Sequence, residues 1–234
     1  MERERLLLVT VGLPARGKSY ISCKLRGFLR WRGVSCESFN VGQARRKAAT
    51  AAQTAEFFSA NNEAAKAQRE RLAMETLHGA LDWLEGSTNP SGAVAILDAT
   101  NTTVERRRHV LQSVADYYGD KSRCPVVVFM ECICNDPATL QSNMRQKCAN
   151  SPDYAGMSIE DAMADLARRV AEYEKVYEPI DEAREDELSA LGPISYIKLI
   201  DLQSKVVRVA RASPLCASAV WWHNRPRRAF KLYS

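Results

Sequence analysis

One short stretch near the start of the chain restricts the possible fold more than any other feature. The segment GLPARGKS (12–19) follows directly on the apolar run LLLVTV (6–11), and the residues after it have helical spacing. Two glycines in such a segment let the backbone curl, so that several N–H groups point into one concavity in front of a helix. The order of strand, glycine-rich turn and helix therefore predicts an anion-binding loop at the edge of a sheet.

Polyphosphate is the ligand that fits this concavity. Lys18 is expected to reach the terminal phosphates, and Ser19 to ligate a Mg²⁺ ion that bridges the same oxygens. The pattern has only four fixed positions and also occurs by chance. In this chain it stands between an apolar strand and an amphipathic helix, as its mechanism requires, so we predict that a nucleotide binds there.

Apolar runs and helical patterns alternate along most of the chain. Runs with the composition of buried strands occupy residues 6–11, 37–41, 93–97, 126–132 and 196–200. Helices are expected from the GKS triplet to Gly33, from about Asn62 to Gly86, over 104–118 and from Ser158 onward. This alternation predicts an α/β fold: a doubly wound, mostly parallel sheet with helices on both faces, of the P-loop nucleoside-triphosphate-hydrolase type.

Composition argues against several classes of protein. The longest apolar runs are too short for a membrane-spanning helix, and the charged N-terminus does not resemble a secretory signal. Seven cysteines and three histidines are scattered without the close spacing of metal ligands. A net charge of +5 is small for a nucleic-acid-binding protein. We therefore expect a cytoplasmic protein with reduced thiols and with neither a membrane nor a nucleic acid as partner.

A second polar segment follows the third apolar run. In AVAILDATNTT, Asp98 comes at the end of a predicted buried strand. Folds of this class place there an acid that holds Mg²⁺ or polarises an acceptor hydroxyl. Considered alone, such an aspartate would more simply start a turn or cap the following helix. Together with the phosphate loop, it is predicted to take part in catalysis.

These two segments together are compatible with a GTPase or with a kinase. The guanine-recognising pattern N-K-x-D is absent, which disfavours a GTPase. A kinase whose acceptor carries a phosphate needs a second group of cations, and arginine binds phosphate through two parallel hydrogen bonds. Each candidate arginine, taken singly, is more simply a solvated surface residue. The candidates that could meet at one edge of the sheet are Arg45, Arg69, Arg106 and Arg169.

Several longer motifs occur in order across nearly the whole chain. They are GLPARGKSY (12–20), FNVGQARR (39–46), EFFSANNEA (56–64), DATNTTVERR (98–107), ECICNDP (131–137), NSPDY (150–154), RRVAEYEKVYEPID (168–181) and SYIKLID (195–201). This set resembles the kinase domain of the 6-phosphofructo-2-kinase/fructose-2,6-bisphosphatase family. The resemblance implies transfer of the γ-phosphoryl group of ATP, with Mg²⁺, to the 2-hydroxyl of fructose 6-phosphate, giving fructose 2,6-bisphosphate.

The resemblance also implies roles for individual residues. Catalysis is assigned to Lys18, Asp98 and Lys147, and Mg²⁺ binding to Ser19 and Asp98. The implied nucleotide site consists of Gly12, Leu13, Pro14, Ala15, Arg16, Gly17, Lys18, Ser19, Tyr20, Asn143 and Cys148. The implied sugar-phosphate site consists of Arg45, Arg69, Thr100, Arg106, Arg169 and Tyr173. Arg169 and Tyr173 are four positions apart on a predicted helix, so they share one face.

The chain departs from the family pattern at three positions. Cys148 stands three residues before the serine of SPDY, where the family carries a lysine, and Lys147 precedes it. Either Lys147 takes over the stabilisation of transition-state charge, or activity is reduced. Val104 and Ala44 replace an arginine and a tyrosine of the family. Two alternatives stay open: another P-loop small-molecule kinase, and a catalytically silent nucleotide-binding regulator.

The resemblance finally divides the chain into two parts. Residues 1–214 are predicted to form the P-loop sugar-phosphate kinase domain. Residues 215–234 are predicted to be a basic tail, or a linker resembling the junction to a bisphosphatase domain that is absent. The phosphohistidine signature Arg-His-Gly of that second domain does not occur, so we expect no hydrolysis by that route. A homodimer is compatible with the resemblance.

Overall fold

The fold is built on one sheet flanked by helices. The computed structural model describes residues 4–49, 55–59, 61–119, 124–181 and 194–201, with the backbone of 204–208 and 231–232. The strands are β1 (Arg5–Val11), β2 (Ser35–Asn40), β3 (Ala93–Asp98), β4 (Val126–Ile133), β5 (Ser195–Ile200), β6 (Ser204–Arg208) and β7 (Lys231–Leu232). The helices are α1 (Lys18–Trp31), α2 (Val41–Ala48), α3 (Glu63–Gly86), α4 (Val104–Tyr118), α5 (Pro137–Asn150) and α6 (Ile159–Glu174). Two 3₁₀ turns cover Ala55–Phe58 and Pro152–Tyr154.

The strands lie in the order β2-β3-β1-β4-β5-β6-β7. The first five in this order are parallel, β6 is antiparallel to β5, and β7 is parallel to β6. The strand β1 is therefore central, and the chain leaves it toward both sides of the sheet. This topology confirms the predicted doubly wound, mostly parallel α/β fold. It also brings the carboxyl ends of β1, β2 and β3 to one edge of the sheet.

Both faces of β1 are buried, which explains its unbroken apolar sequence. Leu6 and Leu8 pack on one side against α1, in a cluster with Ile21, Leu25 and Leu29. Leu7, Val9 and Val11 pack on the other side against α3 and α4, in a cluster with Leu77, Leu81, Leu84, Val110 and Val114. Alternate side chains of β1 thus pack against helices on opposite faces of the sheet. The loop after β1 therefore follows a strand that is buried on both faces.

The predicted strands and the four predicted helices are confirmed, with small shifts of their ends. Two helices, α2 and α5, lie where the sequence analysis predicted none. Of the segment predicted as a tail or linker (215–234), Lys231–Leu232 pairs with Val206 and Val207 in the sheet. The rest of that segment lies outside the described residues. Within the described part of the chain, every helix is too short or too polar to cross a membrane.

Candidate active site

The loop after β1 has the conformation that its glycines predict. Gly12 and Gly17 have φ angles of 131° and 82°, in the region that L side chains rarely adopt. A Cβ atom on Gly12 would lie 2.6 Å from the carbonyl oxygen of Cys132. The Gly12 N–H donates to the carbonyl of Thr100 at 2.9 Å. The glycine is therefore required by close packing of the backbone, and its hydrogen bond ties this loop to the segment after β3.

Lys18 is the first residue of α1, and it is buried at 8% exposure. Its Nζ atom donates to the carbonyl of Leu13 at 2.6 Å, so the ammonium group is folded back over the loop. Burial first, and then the positive charge of Lys147, lower the pKa of Lys18 to about 8. Ser19 and Tyr20 follow on the exposed side. The loop thus presents an ammonium and a hydroxyl group at the N-terminus of a helix, where a phosphate is stabilised.

Asp98 ends β3 directly opposite Asn40 of β2. The Asn40 Nδ2 atom donates to Asp98 Oδ2 at 2.6 Å. The same side chain accepts, through Oδ1, the N–H of Gln43 at 2.8 Å, and so caps α2. Asp98 is only 4% exposed. One amide group therefore fixes both the orientation of this carboxylate and the start of the next helix.

A cavity of about 620 Å³ opens at this edge of the sheet. Its lining includes most of the residues predicted to bind the nucleotide, the metal and the sugar phosphate. These are Pro14, Ala15, Gly17, Lys18, Ser19, Tyr20, Arg45, Arg69, Asp98, Thr100, Arg106, Asn143, Lys147, Arg169 and Tyr173. The predicted residues that do not line it are Gly12, Leu13, Arg16 and Cys148. The first two act through their backbone, as described above, and the Arg16 guanidinium lies 3.6 Å from Glu174.

The structure distinguishes Lys147 from Cys148. Lys147 lines the cavity, and its pKa is lowered to about 8, mainly by burial and next by the charge of Arg169. Cys148 is 5% exposed and packs in an apolar cluster with Tyr154 and Leu166. Adjacent residues of a helix point about 100° apart, so only one of the two can face the cavity. We therefore withdraw Cys148 from the predicted nucleotide-binding residues.

The arginines predicted for the sugar phosphate come from four different helices. Arg45 (α2) and Arg169 (α6) are buried, at 5% and 8% exposure. Arg69 (α3) donates through Nη1 to the carbonyl of Phe57. Arg106 (α4) donates through Nε to Glu70 Oε2 at 2.6 Å. The guanidinium groups of Arg69 and Arg106 thus bind partners that lie outside their own helices.

Asp153 is a charged residue of the site to which the sequence analysis assigned no role. Its Oδ2 atom lies 2.5 Å from Arg45 Nη2, 3.3 Å from Arg169 Nη1 and 3.7 Å from Arg46 Nη1. Burial raises the pKa of Asp153, but the charges of these three arginines outweigh it and hold the pKa below its ordinary value. Three cations share one carboxylate, so this end of the cavity keeps an excess of positive charge for an anionic ligand.

Three further residues belong to the surroundings of the site: Asn40 and Arg46, to which the sequence analysis assigned no role, and Val104. Asn40 and Arg46 both lie within the quoted motif FNVGQARR (39–46). Val104 replaces an arginine of the family, which removes a positive charge near the site. In the structure its N–H donates to Glu178 Oε2 at 2.7 Å, and its side chain packs against the core beneath α4. Only a tertiary contact could have revealed these roles.

Comparison with known proteins agrees with this geometry. The sequence model of the 6-phosphofructo-2-kinase family matches residues 1–223. A probable 6-phosphofructo-2-kinase of Schizosaccharomyces pombe is 38% identical over 222 residues, covering 94% of this chain and 35% of that protein. A 6-phosphofructo-2-kinase/fructose-2,6-bisphosphatase of Caenorhabditis elegans is 42% identical over 195 residues, covering 81% of this chain and 41% of that protein.

A human 6-phosphofructo-2-kinase/fructose-2,6-bisphosphatase is 40% identical over 199 residues, covering 85% of this chain and 39% of that protein. This chain therefore spans between 35% and 41% of the length of these three relatives. The family match itself extends over nearly the whole chain and includes every described residue that lines the cavity. By this match, the chain belongs to the 6-phosphofructo-2-kinase family.

Proposed function

We propose that this chain transfers the γ-phosphoryl group of ATP to the 2-hydroxyl of fructose 6-phosphate. The products are ADP, fructose 2,6-bisphosphate and the proton released from the hydroxyl group. One observation carries the proposal. A single cavity is lined by the phosphate loop with Lys18, by Asp98 and Lys147, and by arginines from four helices.

The residues around the loop fit a nucleotide with Mg²⁺. Among the described residues, no three or more His, Cys, Asp or Glu side chains are close enough together to hold a metal by themselves. Mg²⁺ in kinases takes only one or two protein ligands, and phosphate oxygens and water supply the others. Ser19 and Asp98 would supply the protein ligands. When bound, Mg²⁺ neutralises charge on the phosphates.

The arginines fit the 6-phosphate of the acceptor. Guanidinium groups stay charged and match a phosphate through two parallel hydrogen bonds. The residues that would hold the sugar phosphate are Arg45, Arg69, Thr100, Arg106, Arg169 and Tyr173. Arg45 and Arg169 are the most buried of these arginines, and both line the cavity, so a phosphate there would meet charges that little water screens.

Catalysis would then come mainly from positioning and from compensation of charge. Lys18 and Lys147 line the cavity together with Asp98, and the Asp98 carboxylate raises the pKa of both ammonium groups against the larger effect of burial. Lys147 would take the role of the lysine that the family carries one position later. Asp98 would either ligate the metal or accept the proton of the attacking hydroxyl, held in place by Asn40.

Product identification tests the proposal. Purified protein is incubated with MgATP and a panel of hexose phosphates, and the products are separated and assigned by NMR. We expect one acid-labile product, fructose 2,6-bisphosphate, and its complete loss in Lys18→Met. Lys175→Met is the matched control, because Lys175 is 63% exposed, pairs with Glu172 and does not line the cavity. This control should keep parental activity.

Two other outcomes would replace the proposal. Turnover of a different acceptor, with no reaction of fructose 6-phosphate, would make the chain another small-molecule kinase. Tight ATP binding without any product would make it a silent nucleotide-binding regulator. The cytoplasmic location expected from the sequence stays a prediction, as does the homodimer with which the resemblance is compatible.

A further inference from the structure

We propose that Phe58, together with its neighbour Phe57, is a positioning platform for the arginines of the acceptor end. No role was assigned to either ring by the motif that contains them. The inference rests on the proposed function, because these arginines are the ones that would hold the sugar phosphate. The affinity for that phosphate would then depend on two aromatic rings that do not bind it themselves.

The contacts of Phe58 carry the inference. Its ring is 4% exposed. The Cζ atom of Arg169 lies 3.7 Å from the ring centroid, and that of Arg45 lies 5.2 Å away. The ring of Tyr173 is 5.9 Å distant, centroid to centroid. Three predicted sugar-phosphate residues, from two different helices, therefore meet at one phenyl ring.

Phe57 extends the platform to a fourth residue. Its ring packs edge-on against that of Phe58, with centroids 5.2 Å apart and an interplanar angle of 83°. The Cζ atom of Arg69 lies 5.6 Å from the Phe57 centroid, and Arg69 Nη1 donates to the Phe57 carbonyl. The two adjacent rings thus contact side chains from α2, α3 and α6.

An aromatic face suits this task better than a second carboxylate would. Two buried guanidinium groups repel each other, and Asp153 balances only part of their charge. A ring face attracts a cation through its quadrupole, but it accepts no hydrogen bond in the plane of the guanidinium. The ring face therefore takes up none of the N–H groups at the guanidinium edges. The platform holds the cations together without competing for the ligand.

The turn that carries the rings is itself tied to α6. The N–H of Ala55 donates to Asp165 Oδ1 at 3.2 Å. Asp165 precedes Arg169 by one helical turn, so the two residues lie on the same face of α6. This hydrogen bond fixes the start of the 3₁₀ turn against the helix whose arginine lies over Phe58. A hydrogen bond one helical turn from Arg169 thus supports the distance between ring and guanidinium.

Side-chain replacement at position 58 tests the proposal. In Phe58→Leu we expect the KM for fructose 6-phosphate to rise about tenfold or more, while the KM for ATP stays within about twofold of the parent. Phe58→Tyr keeps the ring and should restore the KM for fructose 6-phosphate to within about threefold. Phe28→Leu is the matched control, because Phe28 packs beside Trp31 and the core and does not line the cavity. An unchanged KM for fructose 6-phosphate in Phe58→Leu, or equal impairment of Leu and Tyr variants, would overturn the proposal.

A second measurement separates the ring's electrostatics from its volume. Mono-, di- and trifluorophenylalanine at position 58 weaken the negative face of the ring step by step with almost no change in shape. We expect the logarithm of the KM for fructose 6-phosphate to rise steadily with the number of fluorines. A flat series would show that the ring only fills space, and the platform would be rejected even if Phe58→Leu folds poorly.

Direct binding keeps this test independent of the proposed reaction. If the parent makes no fructose 2,6-bisphosphate, the proposed function fails, and binding of inorganic phosphate is then measured by calorimetry on the same variants. Weaker binding by Phe58→Leu than by Phe58→Tyr and the parent would support the platform. Equal binding by all three, or no phosphate binding by the parent, would overturn it.

Discussion

The two ends of the cavity are built on different principles. The nucleotide end uses nine consecutive residues, 12–20, whose effect depends on backbone N–H groups and on the start of one helix. The acceptor end uses side chains from α2, α3, α4 and α6, held by Asp153, Glu70 and two aromatic rings. The nucleotide end is therefore one local backbone structure, which forms as a unit. The acceptor end depends on several side-chain contacts that can be removed one at a time. Substitutions should give large, collective effects at the first and graded effects at the second.

Among substitutions that test this contrast, the largest effect on stability and nucleotide binding is expected from Gly12→Ala. The new methyl group would meet the Cys132 carbonyl at 2.6 Å, in a backbone conformation with φ of 131°. We expect a loss of about 2–4 kcal/mol in the free energy of unfolding, because the loop or strand β4 must shift. ATP binding should weaken by about 100-fold or more, since the N–H groups act together. Chemical denaturation and calorimetry measure the two quantities.

Gly27→Ala is the control for this substitution. Gly27 lies within α1, and a Cβ atom there would have no neighbour within 4 Å. Alanine should stabilise the protein by about 0.5–1 kcal/mol through its higher helix propensity and leave ATP binding unchanged. Parental ATP affinity in Gly12→Ala would show that the loop is not the rigid unit described above.

Replacing Lys147 should have the next largest effect. In Lys147→Met we expect kcat to fall about 100-fold, because an ammonium group beside the transferred phosphoryl is lost. The neighbouring variant Cys148→Ala should keep kcat and lose about 1 kcal/mol of stability, because the thiol only packs in a cluster with Tyr154. Steady-state kinetics at saturating substrates measure kcat for both variants. The reverse pattern would assign the catalytic position to residue 148.

Graded loss at the acceptor end is tested by a pair of adjacent arginines. Arg169→Ala should raise the KM for fructose 6-phosphate by about 30- to 100-fold, because a buried charge-assisted contact is removed, while the KM for ATP changes little. Arg168→Ala is the matched control. The Arg168 side chain is 71% exposed and lies 3.7 Å from Asp165. The KM of the Arg168→Ala variant for fructose 6-phosphate should therefore change less than about twofold. Equal effects of the two substitutions would remove Arg169 from the site.

The smallest effect for a single side chain concerns pH. The pKa values of Lys18 and Lys147 are both about 8 in the free protein. Bound phosphate favours the ammonium form, so ATP binding should take up protons near pH 8. Affinity should be full below that pH and fall as the pH rises to 9, by about tenfold for each lysine concerned. Calorimetry in buffers of different ionisation enthalpy measures the uptake, which should be smaller in Lys147→Met. A pH-independent affinity between 7 and 9 would contradict both assignments.

The same contrast explains what the sequence could predict. The loop after β1 and the strand before it follow from one contiguous pattern, and the structure reproduces both. Helix α2 was not predicted, because its eight residues, VGQARRKA, are too few and too polar to show a clear helical period. It is fixed instead by the Asn40 cap and by the contacts of its arginines. Helix α5 did carry a signal, since Asp136 caps it and Pro137 occupies its first turn.

The orientation of helix α5 decides which of two neighbouring side chains faces the cavity. Without the helix, its phase is unknown, and sequence alone cannot decide whether Lys147 or Cys148 faces the cavity. The role of Asp153 was hidden for a related reason, because the partners of a carboxylate in a short turn come from distant parts of the chain. Side-chain choices at the nucleotide end are dictated locally, whereas those at the acceptor end are dictated by packing among helices.

The amide of Asn40 has a mechanical consequence. It is at once the cap of the helix that bears Arg45 and the partner of Asp98. If the helix moves when a sugar phosphate binds, the Asp98 carboxylate would therefore move as well, because both contact the same side chain. Binding of the acceptor and orientation of the Asp98 carboxylate would thus be coupled through Asn40.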